Sequence, residues 1–103
     1  MIQYNKLVRD RIPEIIAAQG KRVSVRTLED AEYRAMLTAK LAEELAEYNA
    51  SGEIAELADL VEVVAAICSA EGVTWEQFEA VRAAKREERG GFANRILLIE
   101  ADP

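Results

Sequence analysis

The sequence predicts an all-α fold, in which about three to four helices pack around one helical hairpin. Two long stretches with helical periodicity flank a break at residues 49–52, which is typical of antiparallel neighbouring helices. Thr74 and Gln77 have the spacing of a capping box at the start of a further helix. The stretch after Leu60 is apolar on nearly every side, so we expect other helices and a second copy of the chain to cover it.

The first predicted helix is short and covers residues 11–19. Asp10 is its expected N-cap, Pro13 falls in its first turn, where a missing N–H costs nothing, and Gly20 ends it. The second predicted helix begins at Asp30 and continues to about residue 48.

The two remaining predicted helices cover residues 53–71 and 74–89. Ser51 is the expected cap of the first, and Gly72 ends it. Gly90 and Gly91 stop the second. Alternating or continuous apolar residues predict short β-like segments at 22–27 and 95–99, and we expect these two segments to pair.

Length and composition limit the classes of protein that the chain can form. A chain of 103 residues predicts one domain, residues 1–103. It contains no apolar run long enough for a membrane span and no signal-peptide pattern at its start, so a cytoplasmic location is expected. The absence of histidine excludes Ser-His-Asp catalysis and His-ligated zinc, which leaves oxygen ligands for any metal.

The charges are unevenly distributed along the chain. Residues 41–81 contain ten of the 19 acidic residues and neither lysine nor arginine, whereas the two ends carry all 13 basic residues. This distribution does not favour binding to nucleic acid. It favours a cation site in the middle, with phosphate-binding groups supplied by the ends, although solvated helix faces would give the same composition.

Four carboxylates are predicted to converge near the hairpin turn. Glu44 lies seven residues after the apolar Leu37, within about 20° of the same direction around the helix, and therefore points inward. Glu47 follows one turn later, and the next helix repeats this spacing with Glu56 and Asp59. An antiparallel hairpin brings both pairs to one level.

Carboxylates that are partly buried need either a proton or a cation, and here the sequence offers few basic residues. Lys40, one turn before Glu44, can offset one charge. A ligand set made only of carboxylate oxygens and water favours Mg²⁺, with Mn²⁺ as an alternative. Glu43 is rotated by roughly 100° from Glu44 and is expected at the edge of this site.

The same residues resemble a known family. Residues 40–47, KLAEELAE, followed by residues 56–60, ELADL, resemble the EExxE…ExxD signature of the all-α nucleoside triphosphate pyrophosphohydrolases. These are the MazG-like proteins, related to phosphoribosyl-ATP pyrophosphohydrolase and the dimeric dUTPases. Residues 4–13, YNKLVRDRIP, and the segment from Lys85 to Phe92 resemble a small single-domain subgroup.

The resemblance implies magnesium-dependent hydrolysis of a nucleotide to a monophosphate and pyrophosphate. It implies metal ligation by Glu44, Glu47, Glu56 and Asp59. It also implies catalytic roles for acids of the first motif, here Glu43, Glu44 and Glu47. The candidate phosphate or substrate contacts are basic residues near both ends of the chain and beside the acidic motif, namely Lys6, Arg9, Lys40, Lys85 and Arg89.

The sequence is compatible with three hypotheses about function. The first is a house-cleaning pyrophosphohydrolase, acting as a homodimer or higher homo-oligomer without a nucleic-acid or membrane partner. The second is a catalytically weak nucleotide-binding or dimeric interaction module of the same fold, and the third is a purely structural helical dimer. Among enzymes, phosphoribosyl-ATP pyrophosphohydrolase is the alternative to a house-cleaning role. Release of pyrophosphate with and without magnesium distinguishes the first two.

Overall fold

A computed structural model describes residues 1–103 and contains four helices and no β-strand. The helices are α1 (Ile12–Ala18), α2 (Asp30–Ser51), α3 (Ile54–Ala70) and α4 (Trp75–Arg89). The predicted all-α class is therefore confirmed. None of the four helices has the length and apolar character needed to cross a bilayer.

The central unit is the antiparallel hairpin of α2 and α3. Near the start of α2, Arg34 Nη2 donates to the carbonyl oxygen of Ala70 at the end of α3, over 2.6 Å. At the other end, Gly52 turns the chain with a φ of 69°, and its N–H donates to the carbonyl of Tyr48. Because glycine adopts this left-handed conformation without a steric penalty, the connection needs only Gly52 and Glu53.

The predicted break at residues 49–52 is wrong in detail. Residues 49–51 continue α2, since the turn begins only at Gly52. Ser51 is consequently the last residue of α2 and does not cap α3. Its Oγ accepts a hydrogen bond from the N–H of Glu53, which is the N-cap residue of α3 and makes no side-chain cap bond itself.

The other helix starts agree with the predictions to different degrees. The capping box of α4 is confirmed, because Thr74 Oγ1 accepts from the Gln77 N–H and the Gln77 side chain accepts from the Thr74 N–H. The predicted cap of α1 is wrong. That helix begins at Ile12 with Arg11 in the N-cap position and no side-chain cap bond, so Asp10 lies one residue too early.

The two β-like segments do not form strands within the single chain. No backbone hydrogen bond joins residues 22–27 to residues 95–99. Val25 is 65% exposed, and residues 96–99 are each more than three-quarters exposed. A strand requires a neighbour for its N–H and C=O groups, and neither segment finds one here.

The single chain is open and has almost no core. Only Leu37, Val63 and Glu44 are buried, and α3 exposes apolar residues such as Ile54 and Val61. The contact between α4 and α3 is far smaller than the contact between α2 and α3. Helix α1 packs on no other helix. The radius of gyration is 18.1 Å, compared with about 13 Å expected for a compact chain of this length. The predicted bundle is therefore not closed by one chain.

Candidate metal centre

The last turns of α2 and the first turns of α3 bring four carboxylates together beside the Gly52 turn. One carboxylate oxygen from each of four residues lies within 4.8 Å of the others, the residues being Glu44, Glu47, Glu56 and Asp59. The convergence follows from the i, i+3 spacing on each helix and from the antiparallel pairing of the helices. The structure thus contains the grouping that the sequence predicts, while its role in binding metal stays a prediction.

Glu44 is the buried member of this group. Its side chain is 8% exposed, and Oε1 lies 3.3 Å from Lys40 Nζ. Its other oxygen, Oε2, is buried and has no hydrogen-bond partner. Burial raises the pKa of Glu44, and the neighbouring carboxylate of Glu47 raises it further, with Lys40 acting in the opposite direction. Two carboxylates that approach in this way need either a shared proton or a cation between them.

The other three acids of the cluster are more accessible to solvent. Glu56 and Asp59 are half-buried and Glu47 is exposed. The group therefore combines one sheltered oxygen with oxygens that face water. This combination suits a divalent ion that keeps several water ligands, as Mg²⁺ does, and the donors are all oxygen atoms. The unpartnered buried oxygen of Glu44 is the specific feature that such an ion would satisfy.

Glu43 lies outside the group of four and is held by two lysines. Lys6 Nζ and Lys40 Nζ each donate to its carboxylate, with shortest distances of 3.2 Å. Partial burial works to raise the pKa of Glu43, but the hydrogen bonds and charges of the two lysines outweigh it and the pKa is lowered. Glu43 is thus held ionised beside the cluster, which agrees with the peripheral position expected from helix phasing.

The irregular segment before α1 reaches the cluster directly. Arg9 Nη2 donates to Asp59 Oδ1 over 2.6 Å, and this contact joins residues 50 positions apart in the chain. Lys6 reaches Glu43 from the same segment. Two basic residues predicted to contact phosphate therefore lie at the carboxylates, together with Lys40. Their contact with substrate remains a prediction.

The basic residues of α4 are not brought to the cluster within one chain. Lys85 and Arg89 make no ion pair or side-chain hydrogen bond, and α4 is exposed from Ala80 to its end. Helix α4 packs only on α3 and does not contact α2, the helix that carries Glu44 and Glu47. The two predicted substrate contacts on α4 are consequently separate from the site in a single copy.

The pairing of Arg9 with Asp59 is the feature of the site that sequence reasoning missed. The sequence marks Arg9 only as a basic residue near the start of the chain and indicates no specific partner for it. No local spacing could have indicated that partner, because the contact depends on where an irregular segment crosses the hairpin. The only signal was the general one of basic ends flanking an acidic middle.

Comparison with known proteins gives limited information. The chain is 59% identical over 46 residues to a protein of Mycolicibacterium smegmatis described only as uncharacterized. The match covers 45% of this chain and 47% of that protein, so it spans about half the length of each. No family model and no solved structure matches the chain.

Proposed function

We propose that this protein is a magnesium-dependent nucleotide pyrophosphohydrolase that converts a nucleoside triphosphate, or a related nucleotide, to a monophosphate and pyrophosphate. The observation that carries the proposal is the group of four carboxylates with the buried, unpartnered Oε2 of Glu44. The order of these acids in the sequence also resembles the signature of the MazG-like enzymes. As the biological role, we favour the removal of non-canonical nucleotides, known as house-cleaning, and we place this activity in the cytoplasm.

The chain's own residues have distinct roles in this proposal. Glu44, Glu47, Glu56 and Asp59 would hold the cation. When bound, magnesium neutralises charge on the polyphosphate and lowers the pKa of water, with Mn²⁺ as a substitute. Lys6, Lys40 and Arg9 lie close enough to the carboxylates to contact a phosphate group placed there. Glu43 orients Lys6 and Lys40, since it pairs with both.

A proton acceptor is also required for the attacking water. Of the acids in the first motif, Glu43 is least suited, because its lowered pKa makes it a weaker base. Glu47 is exposed and adjoins Glu44, which makes it the better candidate for orienting water. Glu44 is the most sheltered acid and serves best as a fixed ligand.

A second copy of the chain is part of the proposal. The chain exposes 9113 Å² of surface, compared with roughly 5,800 Å² for a compact monomer of 11.4 kDa. The excess is comparable to the large apolar interfaces of obligate homodimers. A homodimer or higher homo-oligomer would cover α3 and would allow Lys85 and Arg89 of one copy to approach the carboxylates of another. Light scattering behind a sizing column measures this state directly.

The decisive experiment measures pyrophosphate release from a panel of nucleoside triphosphates with and without Mg²⁺. We expect release only with the metal, and we expect Glu44→Gln and Asp59→Asn each to lower the rate at least about 100-fold, because each removes a charged ligand. Glu62→Gln, an exposed acid on α3 outside the cluster, is the matched control and should leave the rate unchanged. Full activity of Glu44→Gln would contradict the proposal.

The same panel separates the alternatives. A catalytically weak nucleotide-binding or interaction module would bind Mg²⁺ or nucleotide without releasing pyrophosphate. A phosphoribosyl-ATP pyrophosphohydrolase would act on that substrate and leave ordinary triphosphates intact. The order of the acids in the sequence, which resembles the signature of the MazG-like enzymes, is what favours hydrolysis over simple binding.

A further inference from the structure

Two ion pairs join the segment before α1 to the hairpin. Arg9 reaches Asp59 and Lys6 reaches Glu43, whereas the neighbouring helix α1 packs on no other helix. The side chain of Arg9 is 56% exposed and that of Asp59 is 41% exposed. Exposed ion pairs of this kind are weak and easily exchanged. This attachment is therefore well suited to changing partners.

Arg9 and a divalent cation would compete for the same carboxylate. Asp59 Oδ1 already accepts from Arg9 over 2.6 Å, and the four ligand oxygens lie within 4.8 Å of one another. A dipositive ion among these oxygens would lie close to the guanidinium and repel it. A guanidinium released there would find a favourable partner in a phosphate group, because its paired N–H donors match phosphate oxygens.

We propose that Arg9 exchanges partners during the reaction, holding Asp59 until a divalent cation takes this carboxylate and then holding a phosphate group of the substrate. The proposal rests on the proposed function, and it adds a positioning role for the segment before α1. When the Arg9 side chain leaves Asp59, the carboxylate becomes free for the metal and the guanidinium becomes free for a phosphate group. Removing the guanidinium should therefore affect the two ligands in opposite directions.

The test compares Arg9→Gln with Arg11→Gln. Both variants lose one positive charge from the same part of the chain, but Arg11 pairs only with Glu14 and does not contact the cluster. Calorimetry with MnCl₂ alone should show about tenfold tighter binding to Arg9→Gln than to the wild type, because one repelling charge is gone. Binding of inorganic pyrophosphate at saturating Mg²⁺ should become about tenfold weaker. Arg11→Gln should match the wild type in both titrations.

The conservative variant Arg9→Lys provides the second measurement. It keeps the charge and loses the planar fork, so its Mn²⁺ affinity should stay near that of the wild type while its pyrophosphate affinity falls between the wild type and Arg9→Gln. Circular dichroism checks that the helices remain in each variant. Recovery of wild-type metal affinity by lysine would show that the charge at this position acts on the metal.

The titrations can contradict either the exchange by Arg9 alone or the metal site as well. If the wild type binds Mn²⁺ and Arg9→Gln binds it equally or more weakly, the exchange is overturned and Arg9 instead supports Asp59 as a ligand. Unchanged pyrophosphate affinity in Arg9→Gln also overturns the exchange. If neither the wild type nor Arg9→Gln binds Mn²⁺, the metal site fails as well, and with it the proposed function.

Discussion

The two ends of the α2–α3 hairpin differ in how their charged groups are paired. At the end distant from the turn, Arg34 donates to the carbonyl of Ala70 and to the carboxylates of Asp30 and Glu71. At the turn end, four carboxylates meet, and a buried oxygen of Glu44 has no partner. One end satisfies its charges and closes the hairpin, whereas the other holds like charges together.

At the distant end the charged groups hold the two helices together, whereas the like charges at the turn end fit the metal site that we propose. A helix end that finds partners for its carbonyl groups is stabilised, and the acids near Arg34 contribute to that. Like charges held together, one of them buried, cost stability in the absence of a cation. Destabilising groups of this kind are common at sites where a bound ligand stabilises them. The turn end is therefore the place where changes should alter binding, and the distant end the place where changes should alter only folding.

The largest expected effect comes from Glu44→Gln in the presence of metal. For the wild type, Mn²⁺ at a hundred times its dissociation constant should raise the free energy of unfolding by about 2.7 kcal/mol, and the variant should lose this gain. Thermal melts with and without MnCl₂ measure both values. An equal metal-induced shift in the two proteins would place the binding elsewhere.

Without metal, Glu44→Gln should have the opposite effect and stabilise the fold. The pKa of Glu44 is raised in the folded state, so its contribution to stability is fully present below the unfolded value of 4.5 and is lost as the pH rises through the folded value. The neutral amide avoids this loss, and we expect the free energy of unfolding at pH 7 to be higher in Glu44→Gln than in the wild type. The gain should vanish at a pH below 4.5, where Glu44 is itself protonated.

A change at the turn itself should affect both folding and binding. Gly52 has a φ of 69°, and a Cβ atom at this position would meet no neighbour within 4 Å. Gly52→Ala should therefore lower the free energy of unfolding by about 1–2 kcal/mol through backbone strain alone, and metal affinity should fall because the turn aligns the two pairs of acids. Gly91→Ala is the control, since Gly91 lacks a positive φ. Urea titration measures the first effect and calorimetry the second.

The smallest expected effect on metal affinity belongs to the end of α3 distant from the turn. Thr74→Ala removes the side-chain acceptor of the capping box and should cost about 1 kcal/mol of stability. Metal affinity should be unchanged, since Thr74 lies beyond the opposite end of α3 from the carboxylates. Thr27→Ala, at an exposed position in an irregular segment, should change neither property. A marked loss of metal affinity in Thr74→Ala would break the separation of the two ends.

The local features of the fold were predictable because their causes lie within a few residues. The capping box at Thr74 and Gln77 requires only a spacing of three. The inward direction of Glu44 follows from its phase relative to Leu37, and both side chains are buried. The exact end of α2 was not predictable in this way. The sequence of residues 49–52 is compatible both with a four-residue break and with a helix that continues to a left-handed Gly52. The structure has the second arrangement.

The features that depend on distant contacts were not predictable. Residues 95–99, which are apolar from Ile96 onward, resemble a strand in isolation. A strand forms only where a partner is available, and the single chain provides none. The position of Lys85 and Arg89 is a similar case. Their spacing places them on one face of α4, yet it does not determine the direction in which α4 leaves α3.

The sequence by itself determined the helices, the hairpin and the convergence of Glu44, Glu47, Glu56 and Asp59, because helical period and chain reversal are short-range properties. Only the tertiary structure decided that Glu44 keeps one buried oxygen without a partner and that Arg9 pairs with Asp59. The Arg9 pairing joins segments 50 positions apart, and no local spacing encodes how such segments lie in space. The metal and the nucleotide remain our proposals, and the Arg9 and Glu44 variants test them.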